Sequence, residues 1–492
     1  MISGCVRSLS QASSPSSPDA SGSTGFVPAV TPTLKQTTPQ ARPPGAPVAS
    51  PTPDPPHVLP TRRSEDEQYT VRSGDTLGKI AQRYGVDMNA IIAANDIANP
   101  DLLEVGVVLT IPAGHPLPPG PDFKIIPDSE LVNSPGVASF DLQKFIVSQK
   151  GYLAVYQEEY EGRMLSGGEI IAQVARDYSV SPRLLLTVLE YKTGWVTRST
   201  ADAKNEYPLG FMHTAYKGLY RQLAWTANNL NRGYYLWKAG GIASWILADG
   251  SLVPPAPTLN AGTAAIQYYS SLLLNKADWD RAVSPDGIFA AYQALFGYPF
   301  DHTLDPLIPA GLTQPALQLP FEPRVSWSYT GGPHGGWGSG SGWAAIDFAP
   351  PGDALGCVQN DAWVVAVADG TILRAADGAV VQDLDGDGIE QTGWSILYMH
   401  IETRDRVKTG ARVKAGDRIG HPSCEGGVSN GTHVHLARRY NGEWIPADSD
   451  LPFDLDGWIS KGTGVEYDGW LTKGNQTLEA WDGRNDGNQI SR

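Results

Sequence analysis

The sequence predicts a multidomain chain: a small βααβ unit near the start, a mostly α-helical unit in the middle and a strand-rich unit at the end. Three observations carry that reading. At 492 residues, with 54 Gly and 39 Pro, the chain is too long for one hydrophobic core and should hold two to four domains. Between Phe140 and Phe300 apolar residues recur at helical spacing, whereas beyond Ser326 short β-branched and aromatic runs alternate with glycine-rich turns. The formal charge of −15 comes with no basic block, which makes nucleic acid and anionic membrane surfaces poor partners.

Residues 1–65 are crowded with Pro, Ser, Thr, Ala and Gly and have no repeating apolar pattern. Such a segment buries too little surface to offset its chain entropy, so it is expected to be an extended tether. No charged and apolar signal regions of the usual length stand at its start. Ile2-Ser3-Gly4-Cys5 nevertheless resembles the cleavage box of a bacterial lipoprotein whose apolar stretch would lie upstream. That resemblance implies lipidation at Cys5, an anchor in the envelope, and an extracellular or cell-surface location. The anchor would be the protein's one contact with a membrane.

The first folded unit spans residues 66–113. Tyr69-Thr70-Val71 reads as a strand, and Asp75 or Thr76 caps a helix whose face is Leu77, Ile80, Ala81 and Tyr84. A second helix runs from Met88 to Ala94, and Val107 to Pro112 returns as a strand. The run Val71-Arg72-Ser73-Gly74-Asp75-Thr76-Leu77, with Ile80-Ala81, Tyr84-Gly85-Val86 and Asn95, resembles a LysM module. The resemblance implies binding to the N-acetylglucosamine backbone of peptidoglycan or chitin. It places the sugar groove between the Gly74–Leu77 loop and the segment from Asn95 to Pro100.

The middle unit, residues 138–300, carries helical patterns over Gly168–Tyr178, from Leu184 to Tyr191 after Ser181-Pro182, over Leu219–Asn228 and over Thr263–Leu274. Tyr216, Tyr220 and Trp225 lie on or near the third of these. Ser181 to Trp195 faintly resembles the helix that delivers the catalytic glutamate of goose-type lysozymes and lytic transglycosylases, so the unit is lysozyme-like at that point. The acid's place before Gly194-Trp195 is taken by Lys192, which stays charged near neutrality and cannot act as that acid. Glu190, two positions earlier, is turned about 200° around the helix. The unit is therefore expected to hold glycan or act as a spacer, without catalysis.

The last unit, residues 318–482, contains the chemistry. Five of the nine histidines fall between Ser326 and Leu436. In Gly431-Thr432-His433-Val434-His435-Leu436 the His-x-His pair sits in an alternating apolar run, which puts both imidazoles on one face of a strand. Upstream, Gly331-Gly332-Pro333-His334-Gly335-Gly336-Trp337 reads as a glycine-rich loop, and Trp343 to Ala349 as a strand with Asp347 embedded in it. Two imidazoles and one carboxylate, with a fourth position left to water, make a catalytic zinc set. His400, closing the strand Trp394–His400, adds one imidazole more than such a set needs, and the surplus fits acid and base work. His421, in a Gly420-His421-Pro422 turn, reads as exposed or structural.

These motifs resemble the lysostaphin and LytM class of zinc endopeptidases, peptidase family M23, which cut the peptide part of bacterial cell walls. Val365 to Ile372 and Gly410 to Gly420 look like the strand and hairpin signatures of the same antiparallel all-β fold, and the likeness runs from about Phe321 to Trp470. Carried over by position, it implies His334, Asp347 and His435 as zinc ligands, with His400 and His433 flanking the catalytic water. Most members of the class place three residues between the first His and the Asp. Here Trp343 holds that nearer position, and the wider spacing from His334 is similar to that of the staphylolysin and beta-lytic branch. The resemblance thus implies a zinc-dependent endopeptidase acting on peptidoglycan, the alternative being a catalytically silent envelope factor that binds peptidoglycan and regulates other wall hydrolases.

Two further features lie inside this unit. Asp383, Asp385 and Asp387 alternate in Asp383-Leu384-Asp385-Gly386-Asp387-Gly388-Ile389-Glu390, the ligand order of a calcium loop, although Trp394 stands at the twelfth position. Calcium and an acidic hairpin tip are both open readings. Cys357 and Cys424 form either a disulfide or two buried thiols, and with Cys5 set aside as a lipid site, pairing leaves no thiol over. The aromatics Trp458, Tyr467, Trp470 and Trp481 are too many for a free tail and are expected to pack the last segment onto the sheet.

Overall fold

A computed structural model describes residues 56–57, 65–72, 75–100, 103–113, 117–200, 205–352 and 354–492. The tether apart from residues 56, 57 and 65, Cys5 and the Ser73-Gly74 part of the first loop lie outside the described residues.

In the first unit, Glu67–Thr70 pairs antiparallel with Val108–Ile111, and the helices Leu77–Tyr84 and Met88–Ala94 lie between them in sequence. Leu77, Ile80, Ala81, Ile91, Leu109 and Ile111 close the core. Of the two candidate caps, Thr76 does the capping: its Oγ1 accepts from Lys79 N at 3.2 Å. Asp75 is occupied by the Tyr69 hydroxyl and Arg72 N–H.

Seven of the described α-helices build the middle unit: Leu142–Gln149, Gly167–Tyr178, Pro182–Thr193, Leu219–Lys238, Ala261–Ser271, Lys276–Ala282 and Ile288–Phe296. A capping box between Ser166 and Glu169 starts the second. Pro182 opens the third as expected, but Ser181 makes no capping hydrogen bond through its side chain. The shared core reaches from Ile125 to Leu307, wider than 138–300. The extra residues are short 3-10 turns and irregular chain, fixed by polar ties: buried Glu130 pairs with Arg183 at 2.6 Å and takes the Tyr292 hydroxyl. Asp305 accepts from Ser129 N at 2.8 Å.

The last unit is built on an antiparallel sheet, nine-stranded among the described residues. Its path runs Arg412–Val413, Gly370–Ala376, Ala379–Asp383, Trp394–Met399, Val434–Tyr440, Ala345–Ala349, Trp327–His334 and Gln489–Ile490, with Glu443–Trp444 paired to Val434–Tyr440. Asp454–Leu455, Trp458–Gly462, Gly469–Lys473 and Gln476–Glu479 form a second sheet, whose Leu455 and Leu471, with Ala480 just after it, share the core with Trp327 and Tyr329. The final segment thus packs back on the sheet, and it continues past residue 482 because Ile490 pairs with Trp327.

One local expectation changes, and two readings left open in the sequence are resolved. His334 is not in a loop but is the last residue of the strand Trp327–His334. His421, open between exposed and structural, is buried and structural: Nδ1 bonds Ala362 O at 3.0 Å and the Trp363 ring lies against it at 3.9 Å, tilted by 41°. Cys357 and Cys424 are joined in a disulfide with Cα atoms 5.6 Å apart. That bond ties the chain around Gly356, whose carbonyl accepts from Thr432 N, to the segment leading into His433.

Candidate metal centre

Strand register brings the donors together. His435 stands opposite Asp347 on one side and Met399 on the other, so the two ligand candidates are a direct cross-strand pair and His400 is one residue away. Asp347 also faces Gly331, and register shifts on either side of Gly331 let the strand end swing His334 back toward the pair. Gly331 is needed there, since a Cβ on it would lie 2.6 Å from Asp347 Oδ2.

His334 Nε2, His435 Nδ1 and Asp347 Oδ1 form a triangle with edges of 2.9, 3.3 and 3.3 Å. Donors held about 2.0–2.1 Å from a tetrahedral zinc are spaced by about 3.3–3.4 Å, so this set has the dimensions of a zinc site. Asp347 Oδ1 is buried with no hydrogen-bond partner among the described residues, which is what a ligand oxygen aimed at a cation requires. The remaining nitrogens are held by backbone: His334 Nδ1 meets Gly332 O at 2.8 Å and His435 Nε2 meets Gly336 O at 3.1 Å. Each carbonyl fixes the tautomer that leaves the inner nitrogen bare. Trp343 offers a backbone carbonyl to Ala447 instead, in keeping with the wider spacing.

Around the triangle the electrostatics are strongly coupled. Burial disfavours the Asp347 charge, but the imidazoles of His334 and His433 outweigh it and hold the carboxyl well below its usual range. Burial pulls His334 down, and Asp347 more than reverses that. His435 ends below its ordinary value, burial being the main cause.

The two further histidines stand beside the triangle. His400 Nδ1 is held by Glu425 O at 3.0 Å and His433 Nδ1 by Gly431 O at 2.8 Å, which leaves both Nε2 atoms as acceptors. Their rings lie 4.5 Å apart, and His433 Nε2 is 3.8 Å from Asp347 Oδ2. Burial, with His433 and His435 nearby, pushes His400 down to about 3, so it is a neutral imidazole across the physiological range. Its backbone is left-handed, with φ of 64°, an uncommon conformation for a non-glycine residue and one often found at functional sites.

Sequence reasoning missed two supports. Tyr467 stacks on the His334 ring at 4.2 Å, while Gly332 N donates to Tyr467 O. The other is the middle unit's helix Leu219–Lys238, which moulds the loop after His334. Asn228 Oδ1 accepts from Gly340 N at 2.9 Å, and Arg232 donates to Ser339 O at 3.1 Å. The run of small residues Gly338-Ser339-Gly340-Ser341-Gly342 was the available signal, because a Cβ at Gly340 would sit 1.8 Å from Asn228 O. Gly340→Val should therefore lower stability by about 1–3 kcal/mol through overpacking, read as a drop in thermal midpoint. A midpoint unchanged from wild type would mean that the loop does not depend on this contact.

The other sequence candidates fall elsewhere. Glu190 accepts from Val196 N, Thr197 N and Thr197 Oγ1, which holds the turn after its helix, while burial lowers the pKa of Lys192. In the acidic loop, Asp383 accepts from Asp385 N, Gly386 N and Gly388 N, and Asp387 from Ile389 N and Thr392 Oγ1. One oxygen from each of Asp383, Asp385 and Asp387 still lies within 4.8 Å of the others. Burial, then Asp383 and Asp387, raise Asp385 to about 7. Glu390, at the loop's far end, joins Arg374 and Arg439, and Arg374 reaches Asp177 of the middle unit at 2.7 Å. In the first unit a pocket of about 320 Å3 is lined by residues including Ile97, Ala98 and Leu103. Asn95 has a structural task there, since its amide bonds Ile91 O and both backbone groups of Thr110.

Comparison with known proteins matches three family models in series: LysM domain over residues 69–112, LasA, N-terminal domain over 124–308, and Peptidase family M23 over 346–446. Protease LasA of Pseudomonas aeruginosa is 28% identical over 290 residues, which is 54% of this chain and 65% of that protein. The chain thus spans about two thirds of the length of that relative. Secreted LysM effector ECP6 of Passalora fulva is 47% identical over 45 residues, 9% of this chain and 20% of the effector. Among solved structures, the M23 metalloprotease pseudoalterin from the deep sea is 24% identical, covers 37% of this chain and all of its own, and has a TM-score of 0.29. The chain thus carries in series a LysM domain, a LasA-type N-terminal domain and a Peptidase family M23 domain, and the M23 match includes Asp347, His400, His433 and His435 while His334 stands on the strand just before it.

Proposed function

We propose that the chain is a zinc-dependent endopeptidase that hydrolyses peptide bonds in bacterial peptidoglycan and is held on the glycan by its LysM module. The observation that carries this reading is the donor triangle of zinc dimensions with two bare imidazole Nε2 atoms beside it. A complete ligand set also argues against a silent regulatory factor. His334, Asp347 and His435 would hold the metal. Zinc bound there would supply a Lewis acid that polarises the scissile carbonyl and acidifies a water molecule. His433, beside the Asp347 carboxylate and the more exposed of the pair, takes the water's proton at Nε2 and passes it to the leaving amine. His400, buried and neutral, orients the water. The middle unit holds glycan or spaces the two ends, with Glu190 engaged in its own turn and Lys192 where an acid would stand.

Digestion of purified wall, followed by product masses, tests the reading. Cut peptides on intact sugar chains are expected, and they should disappear with a zinc chelator. Reducing ends or anhydro-sugars would instead assign the chemistry to the middle unit. An extracellular or cell-surface site of action agrees with the disulfide. Among the described residues no helix is long and apolar enough to cross a membrane, and anchoring through Cys5 belongs to the same proposal.

Calcium at Asp383, Asp385 and Asp387 is the finer part of it. Burial, then Asp383 and Asp387, disfavour the Asp385 charge, and a cation would offset both at the loop that leads into the strand ending beside His400. Millimolar calcium should raise the thermal midpoint of the chain. Protons compete for Asp385, so the gain should shrink as the pH falls below about 7. Asp385→Ala should remove the gain and leave zinc content unchanged. Identical midpoints with calcium and with a calcium-specific chelator would reduce the loop to an acidic hairpin tip.

A further inference from the structure

We infer that the second, four-stranded sheet carries a saccharide pocket separate from the LysM groove, placed to hold a sugar ring of the substrate beside the metal centre. The choice of wall glycan as its source rests on the function proposed above. The pocket, of about 220 Å3, is lined by Trp470, Thr477, Glu479, Trp481, Asn485 and Gly487. Its floor follows from strand register. Trp470 lies opposite Glu479 and Thr472 opposite Thr477, while the alternate residues Leu471 and Leu478 turn toward the core. Its rim is the segment after Glu479, and that segment is braced from behind. Trp481 N donates to Tyr329 O and Trp481 O accepts from Asn488 Nδ2. Asn488 is fully buried, takes Asn485 N–H on its Oδ1, and also donates to Gly483 O and Tyr329 O. A rim fixed in this way leaves the Trp481 side chain in solvent, with the residue 59% exposed.

The lining chemistry selects the ligand class. Indole faces receive the C–H faces of a pyranose ring, and the ring's hydroxyl and acetamido groups need both donors and acceptors at its edge. The Thr477 hydroxyl, the Asn485 side-chain nitrogen and the Glu479 carboxylate make no hydrogen bond among the described residues, so all three are available. The formal charge in the lining is negative, which disfavours the carboxylates of an acidic peptide. The pocket is also close along the chain to the catalytic region: Tyr467, stacked on His334, lies in the turn three residues before Trp470, and three residues of chain span at most about 10 Å. A glycan resting on the indoles would therefore present its attached peptide close to the metal.

The test uses the full chain labelled with 5-fluorotryptophan. The module over residues 66–113 contains no tryptophan, so sugar bound there carries no direct label. The resonances that vanish in Trp470→Phe and Trp481→Phe should shift saturably as a soluble β-1,4-linked N-acetylglucosamine tetramer is added. Trp481→Ala, at an exposed position, should keep its thermal midpoint and bind insoluble wall roughly five- to tenfold more weakly. The inference is overturned if both resonances stay still while calorimetry reports that the tetramer binds, or if they move only with a wall stem peptide. Peptide release from wall is scored separately. Release with unmoved indoles refutes the pocket alone, whereas shifted indoles without release refute the hydrolase and leave the pocket.

Discussion

Alanine in place of His435 should leave the purified chain without zinc and without peptide hydrolysis. Removing a group that only orients a metal ligand costs about 10–100-fold in affinity, so loss of the ligand itself should cost more, on the order of a thousandfold. His334→Ala should behave alike, because its Nε2 is an equal corner of the triangle. Acidification should reproduce the loss. In the metal-free centre Asp347 raises the affinity of His334 for a proton, which competes with zinc, so zinc affinity falls as pH falls. His400 stays neutral far below that range, which means zinc content and turnover should decline together on the acid side. Metal analysis of the variants, and of the wild type across pH, decides the matter. Full zinc occupancy in the His435 variant would sink the ligand assignment.

Much of this centre was legible in the sequence because its parts are local patterns. A His-x-His pair in an alternating run has only one way to share a face, and Asp347 inside an apolar strand needed a partner. The first unit was readable for the same reason, since its helices are short, periodic and capped. What could not be read depends on contacts between distant segments. His334 looked like a loop residue because Gly331, Gly332 and Pro333 are poor strand formers, yet pairing with Ala345–Ala349 through two register shifts keeps it in the sheet. The Leu219–Lys238 helix runs ten residues beyond the expected Asn228. Its extra length includes Arg232 and Tyr235, which hold the loop after His334 and Trp444 N across the boundary between units. Nothing in the periodicity of one helix announces a partner more than a hundred residues away. His421 was left open between surface and structure for the same reason, its burial coming from Trp363.

Replacing either flanking histidine should separate metal binding from turnover. General acid and base groups contribute about 10²–10⁴-fold, so His433→Ala should keep zinc and lose turnover by that order. The loss should fall on kcat, because His433 acts on a proton that moves in the transition state. His400 needs a subtler substitution. Its φ of 64° is a conformation that alanine tolerates poorly, at about 1–2 kcal/mol, so a dead His400→Ala chain could simply be a misfolded one. Asparagine enters the left-handed region readily and keeps an amide for Glu425 O, which now accepts from His400 Nδ1. His400→Asn should therefore fold and bind zinc with near wild-type affinity while losing turnover about 10²-fold or more. An imidazole that carries a proton can be supplied from solution, so added imidazole should restore part of the His433→Ala rate and little of the buried His400→Asn rate. Zinc content, thermal midpoint and kcat measured on the same preparations give the answer. Wild-type turnover in His400→Asn would remove His400 from the reaction and leave His433 as the one flanking imidazole that acts.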